Sequence, residues 1–206
     1  FFIFLFGAAL ITGYILNKKS FNGYKNLTRE TGHLSSFAEK YGMPLCLINF
    51  GIYGFMVLGY MNLIMLFTEG VAFTGPTVGA IFAAMTFAAT GQHPKNTWSI
   101  FGGYILLSIF VTLLYTSRNE PVPWNLSTQG YINGVAFATG LAPMAGKYGW
   151  KIGLISGIIG ASICTSTAAV HGGFMLFNGG FSAGITALIL VPILEHHFPH
   201  KGALYK

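Results

Sequence analysis

The sequence contains no aspartate and very little charge of either sign. All five acids are glutamates, and charged residues make up 8% of the chain, against about 25% in soluble domains. A surface this poor in charge does not lie mostly in water. The absence of aspartate also excludes Walker-B ATPases, EF-hands and phospho-aspartate chemistry from this stretch of protein.

Cysteine is almost as scarce, with Cys46 and Cys164 both in apolar runs, so a disulfide framework is not expected. The chain also lacks the GxSxG, HExxH, CxxC and Walker A patterns. We therefore predict no enzymatic activity, no cofactor and no dedicated metal site. The net charge of +6 comes from short loops between apolar runs, which is typical of cytoplasmic flanks and not of a nucleic-acid interface.

Apolar residues dominate instead, at 53% of the chain, and they occur in continuous runs. Continuous runs of about 20 apolar residues indicate membrane helices, whereas a barrel would alternate apolar and polar positions. The sequence predicts an all-α, polytopic transmembrane bundle, and because it opens inside an apolar run at Phe1, we interpret it as a fragment of a longer chain. The predicted segments are 1–16, 43–66, 76–91, 97–116, 130–146, 151–175 and 181–196.

The basic residues are distributed asymmetrically around these segments. If all seven cross the membrane, ten of the eleven basic residues share one side and only Arg118 lies on the other. Since positive residues favour the cytoplasm, this predicts a multi-pass protein of the cell (inner) membrane with a cytoplasmic C-terminus. The count fails if the short segments 76–91 and 181–196 re-enter rather than span. The ten are Lys18, Lys19, Lys25, Arg29, Lys40, Lys95, Lys147, Lys151, Lys201 and Lys206.

These two short segments share a design, in which chain breakers come first, a short apolar helix follows, and the end is rich in His, Pro and Lys. The first, within 66–96, breaks at Thr74-Gly75-Pro76 and closes on Gln92-His93-Pro94-Lys95-Asn96. The second, within 176–202, breaks near Asn178 and Ser182. Paired interrupted helices are typical of transporters built from repeats.

An internal repeat supports this interpretation. Residues 23–42 align without gaps to 130–149, and both copies end in Lys-Tyr-Gly. We therefore divide the chain into repeat 1 at 1–96 and repeat 2 at 97–206, forming one membrane domain. The first copy of the aligned segment is polar and the second apolar, so their environments differ.

Three motifs carry a resemblance to a known family: FTGPTVGAIF, GQHPKN and GFSAGITALILVPILEHH. With them, most of the chain resembles a bacterial integral-membrane family, mostly from Firmicutes, known as domain of unknown function 1576. The resemblance implies membrane insertion and a longer full-length protein, and it implies no settled activity.

The candidate site residues are polar groups near the breaks or at membrane depth. Glu69 is either a proton- or cation-binding carboxylate or an exposed acid on the outer loop. His171 either lines a water-filled path with its neighbours or makes ordinary interhelical hydrogen bonds. The groups at the breaks either offer free backbone contacts to an ion or only cap helices. The complete set is Glu69, Thr74, Gly75, Pro76, Thr77, His93, Thr165, Ser166, His171, Asn178 and Ser182.

Three functions fit this pattern. The first is a transporter or channel for a small solute or ion, with its path at the repeat interface. The second is a membrane scaffold or accessory subunit that packs through Gly and Ala faces. The third is an intramembrane metallo- or haem protein using His93, His171 or His197, although the His196–His200 spacing more often belongs to a solvated tail. The expected partner is the lipid bilayer, without nucleic acid; the solute and the oligomeric state, a homo-oligomer included, stay open.

Overall fold

A computed structural model describes residues 1–33, 35–67, 72–167 and 175–199, without the side chains at 67 and 175–178. Within these ranges every regular element is a helix. The long helices carry the fold, and short ones connect them. Their bounds are α1 Phe2–Leu16, α2 Tyr24–Leu27, α3 Phe37–Tyr41, α4 Met43–Phe67, α5 Gly75–Thr86, α6 Pro94–Ser117, α7 Gln129–Ala138, α8 Ala142–Tyr148, α9 Trp150–Thr167 and α10 Met175–His197.

Three of the described helices are long and apolar enough to cross a membrane. They are Met43–Leu66, Pro94–Ser117 and Gly179–His197. Each consists of a long apolar run whose backbone groups are bonded within the helix, as lipid requires. The predicted all-helical architecture is therefore present, with three helices long and apolar enough to span a membrane, while the count of seven spans stays a prediction.

Packing contacts fix the relative directions of these helices. α1 and α4 are antiparallel, since Gly13 lies against Ile48 and Phe6 lies against Gly54. α6 and α9 are parallel, since Trp98 stacks on Trp150 and Gly103 lies against Gly157. Asn49, near the start of α4, bonds to the Gln92 carbonyl just before α6. α4, α6 and α9 therefore start at one end of the bundle, which we name the basic end because Lys40, Lys95 and Lys147 lie there.

Two helices between these long ones are interrupted. α5 has 12 residues and continues as a single 3₁₀ turn over Phe87–Ala89. At about 1.5 and 2.0 Å per residue this unit is about 24 Å long, shorter than a hydrocarbon core of about 30 Å. α7 passes through a 3₁₀ turn at Thr139–Leu141 into α8. The predicted continuous segment 130–146 is therefore two helices joined by a tight turn.

The second predicted break is wrong. Ser182 lies inside α10, which runs without interruption from Met175 through Pro192 to His197. The small residues here permit close packing rather than a break: a Cβ at Gly179 would lie 2.9 Å from that of Phe137. The short helix predicted at 181–196 is thus the larger part of a 23-residue helix.

One other boundary also differs from prediction. α6 begins at Pro94 rather than at 97, because proline is well suited to the first position of a helix, where its missing N–H is not needed. Within the described residues α9 runs to Thr167, inside the predicted 151–175 segment. Residues 168–174 lie outside them.

The two Lys-Tyr-Gly sequences have the same local geometry. Gly42 ends α3 with φ 82° and ψ 158°, and Gly149 ends α8 with φ 97° and ψ 166°. Each glycine N–H bonds to the carbonyl of the aligned alanine, Ala38 or Ala145. Both positions require a positive φ, which glycine adopts without strain. The division at 96 and 97 itself stays a prediction.

Candidate functional site

A buried polar network ties three segments together at the basic end. The Tyr53 hydroxyl donates to Gln92 Oε1 over 2.7 Å, and Gln92 Nε2 donates to the Thr139 carbonyl over 2.7 Å. Asn49 Nδ2 bonds to the carbonyls of Ala88 and Gln92, each at 2.8 Å. We name Asn49, Tyr53, Gln92 and Thr139 the basic-end network. It joins α4, the end of α5 and the turn after α7.

His93 and Asn96 fix the start of α6. Asn96 Oδ1 accepts from the His93 backbone N–H over 3.0 Å, which satisfies a donor at the helix start. His93 Nε2 lies 3.0 Å from the Glu30 carbonyl, and because a carbonyl only accepts, this nitrogen carries the proton. Asn96 Nδ2 also bonds to the Gly91 carbonyl at 2.9 Å. His93 thereby connects α6 to the segment between α2 and α3.

Burial and charge shift the pKa of several groups at this end. The pKa of His93 is lowered, because burial disfavours the imidazolium and Lys95 repels it, although Glu30 opposes both. Burial raises the pKa of Glu30, but hydrogen bonds from Lys40 and Tyr41 outweigh it, so the net shift is downward. Lys40 Nζ lies 2.7 Å from Glu30 Oε1. We therefore expect neutral His93 and ionised Glu30 at neutral pH.

A cavity of about 450 Å³ opens beside the basic-end network. Its lining includes His33, Ser36, Phe87, Gln92 and Gly140. Burial and Lys147 lower the pKa of His33. The cavity thus borders Gln92, the last turn of the α5 unit at Phe87 and the turn after α7 at Gly140.

A second polar cluster lies at the opposite end of α5 and α7. Thr77 is fully buried and donates to Asn133 Oδ1 over 2.9 Å. Gln129 Nε2 donates to Thr77 Oγ1 over 2.8 Å, while Gln129 Oε1 accepts from the Ala72 N–H. We name Thr77, Gln129 and Asn133 the far-end cluster. Together with the Gln92–Thr139 bond, it shows that α5 and α7 run side by side in the same direction.

The predicted site residues are not gathered at one place. Thr74 caps α5 and accepts from the Thr77 N–H at 3.3 Å, with Gly75 and Pro76 in the first turn, whereas His93 lies at the basic end. Ser182 donates to the carbonyl of Gly179 within α10.

On α9, Thr165 and Ser166 bond back to carbonyls of their own helix. Among the described residues, both hydroxyls therefore bond within α9. Glu69 and His171 lie outside the described residues, as does the side chain of Asn178.

The histidine-based alternative gains no support from the described part of the chain. Within it, no three His, Cys or Glu side chains lie close enough to hold a metal ion. His93 is buried at the start of α6, and His197 Nδ1 lies 3.1 Å from a carbonyl of its own helix. His171 and His200 are not described.

Several residues of these clusters are absent from the sequence-based set. In the sequence, Asn133 is only one position of the aligned copy 130–149. Gln92 is only the first residue of the polar run that closes the first short segment. No sequence pattern marks Gln129, Tyr53 or Thr139 as functional. Their hydrogen bonds join residues that are 39, 47 and 52 positions apart, and a local pattern does not reveal such partners.

Comparison with known proteins gives a family but no activity. A family described as a protein of unknown function, DUF1576, matches residues 16–196. This confirms the family predicted from the three motifs. No curated protein and no solved structure matches the chain.

Proposed function

The chain belongs to the DUF1576 family of unknown function, and we propose that it is a transporter or channel for a small solute or ion. Its path would follow the contact between α5 and α7, which we name the seam. The seam joins 1–96 to 97–206, so the path would lie at the interface of the predicted repeats. Repeat interfaces are where many transporters place their substrate site.

The observation that carries this proposal is the distribution of polar groups along the seam. Thr77 and Asn133 are buried at one end and Gln92 at the other. Between them, Ala84 and Ala136 are fully buried small residues. Buried polar side chains are costly in a membrane, and they commonly mark a pathway. Here they stand only at the two ends, as a pair of gates would.

The cavity at the basic end gives the seam an entrance. It reaches Gln92 from outside the bundle, and the two hydrogen bonds of Gln92 hold that side chain across the end of the seam. Opening would require Gln92 to exchange the Tyr53 hydroxyl and the Thr139 carbonyl for water or solute. In this proposal the described arrangement is the closed one.

Substituted-cysteine labelling tests the path without knowledge of the solute. In a Cys46→Ala, Cys164→Ala background, Ala84→Cys and Ala136→Cys place thiols in the seam. We expect both thiols to react with a membrane-impermeant maleimide in proteoliposomes, because an opening seam admits water. Leu188→Cys is the control: Leu188 is 77% exposed on α10, where lipid excludes the reagent.

Flux measurements then test the gates. Thr77→Val removes the hydroxyl that Asn133 and Gln129 bond, and we expect it to change solute permeability in a light-scattering assay over a panel of small solutes. Thr86→Val is the matched control, since Thr86 is exposed on the same helix and donates to its own helix at Ala83. Unreactive thiols at 84 and 136, with permeability equal to that of empty liposomes, would refute the path.

A scaffold is the second candidate, and close backbone packing favours it. Gly103 on α6 and Gly157 on α9 approach so closely that a Cβ at Gly103 would lie 2.8 Å from the Gly157 Cα. Such contacts are typical of stable membrane helix pairs. The labelling experiment separates the two functions, because a scaffold keeps its seam dry.

A further inference from the structure

A second pocket at the basic end is lined by His93, the residue after the Gln92 that borders the first cavity. Its volume is about 320 Å³, at the small end of the range for ligand sites, which is about 300–1,000 Å³. Arg29, Lys95, Trp98 and Trp150 are among its lining residues. The proposed path along the seam does not use this pocket.

The pocket carries uncompensated positive charge. Arg29 and Lys95 line it, and within the described residues neither makes an ion pair, because the salt bridge present joins Lys40 to Glu30. Glu30, the one acid among the lining residues, is held by that lysine and also accepts from the Tyr41 hydroxyl. Two cations therefore face the pocket with no free carboxylate beside them.

Two long helices begin at the same place. α6 starts at Pro94 and α9 at Trp150, and the stacked rings of Trp98 and Trp150, 6.0 Å between centroids, hold the two starts together. Both helices point their positive ends toward the pocket, which favours an anion there. The helix starts thus add to the charge that the two cationic side chains already supply.

The tryptophans also place the pocket at a membrane interface. Trp98 is 46% exposed and Trp150 51% exposed, and exposed tryptophan prefers the level of the lipid headgroups. Farther along the same two helices, Leu106 on α6 and Ile155 on α9 are also about half exposed, so each helix carries exposed apolar side chains beyond its tryptophan. A ligand with an anionic head and apolar chains matches this sequence of surfaces.

We propose that this pocket binds the phosphate headgroup of an anionic phospholipid. Arg29 and Lys95 would contact the phosphate, the ring edges of the tryptophans would border the glycerol region, and the acyl chains would follow α6 and α9. Basic pockets between membrane helices bind anionic headgroups by this chemistry.

Tryptophan quenching by brominated lipid tests the proposal. The chain has three tryptophans, so Trp124→Phe leaves only the two that border the pocket. The protein is reconstituted with brominated phosphatidylglycerol in phosphatidylcholine, or with brominated phosphatidylcholine in phosphatidylglycerol. We expect the relative binding constant to favour phosphatidylglycerol about ten-fold, and R29Q with K95Q to abolish this preference.

The matched control removes the same charge elsewhere. Lys18 and Lys19 follow α1 at the basic end and do not line the pocket, so K18Q with K19Q should retain the preference. No preference in the parent protein, or equal loss in both double variants, would overturn the proposal. The preference is also measured with inorganic phosphate and with potassium chloride of equal ionic strength. If phosphate abolishes it and potassium chloride does not, the site binds soluble phosphate and the lipid assignment is overturned.

Discussion

At the scale of single residues, Gln92 bears the most structural consequence. Its side chain is 3% exposed, and its two ends bond to different helical segments, Tyr53 on α4 and Thr139 after α7. A buried amide can be satisfied in this way only where donor and acceptor face each other across it. Gln92 therefore specifies how three separate parts of the chain meet.

Gln92→Ala should destabilise the protein. The change leaves the Tyr53 hydroxyl and the Thr139 carbonyl without partners, and such losses cost about 1–3 kcal/mol each when buried. We expect a lower thermal unfolding midpoint in detergent. Asn62→Ala is the comparison, because Asn62 is exposed and its amide bonds only to Leu58 of its own helix. Equal effects of the two substitutions would contradict this role for Gln92.

His93 should make stability depend on pH. Its pKa in the folded protein is lowered, chiefly by burial, so the folded state binds fewer protons than the unfolded state. This stability is present above the unfolded pKa of about 6.5 and is lost as pH falls below it. We expect His93→Gln to flatten the decline in unfolding midpoint between about pH 7 and pH 5.

His33 needs its own control in that experiment, because its pKa is also lowered. His33→Gln measures its share of the decline. Glu30, whose pKa is lowered by Lys40 and Tyr41 despite burial, titrates in a more acidic window. If the unfolding midpoint of His93→Gln falls with pH as steeply as that of the parent protein, the His93 imidazole does not contribute to the decline, and this prediction is contradicted.

At the scale of elements, α6 and α9 depend on the absence of side chains. Gly103→Ala would direct a methyl group at the Leu154 carbonyl and the Gly157 backbone, neither of which can rotate away. Overpacking of this kind costs about 1–3 kcal/mol, and we expect a corresponding fall in unfolding midpoint. Gly59→Ala is the matched control, since among the described residues no atom beyond its own stretch of helix backbone lies within 4 Å of a Cβ there. A tolerated Gly103→Ala would show that the helices separate easily.

Composition and breakers predicted some elements well and others poorly. α4 was predicted almost to the residue because a long apolar run has no competing structure in lipid. The Thr74-Gly75-Pro76 break was also predicted, since Thr74 is the cap of α5. Similar residues near Ser182 lie inside α10, because glycine permits close packing as well as chain reversal. Local sequence does not separate these two uses.

The polar clusters were harder to predict for another reason. His93 was a candidate because it belongs to a local polar run, but Thr139 and Gln129 are unremarkable in sequence. Each acquires its role from a partner on another helix. Hydrophobic patterning places such residues on helices, but it does not give the register between helices.

At the scale of the whole molecule, the alternation of helix directions places nearly all described basic residues at one end. Thiols introduced at Lys40, Lys95 and Lys147 should therefore be labelled from the same side of the membrane, and a thiol at Arg118 from the other. We expect the shared side to be the cytoplasm. Impermeant maleimide applied to intact cells and to inverted vesicles measures both. Labelling of Lys95→Cys together with Arg118→Cys would contradict the arrangement.

The bond between Gln92 and Thr139 also has a consequence for biosynthesis. The two residues are 47 positions apart, so Thr139 leaves the ribosome well after α5 has been made. Until then the Gln92 amide has no acceptor in the second half of the chain. The first half of the chain is therefore inserted before all its buried hydrogen bonds can form. Chaperones or insertion factors that bind nascent membrane proteins have that interval in which to act on it.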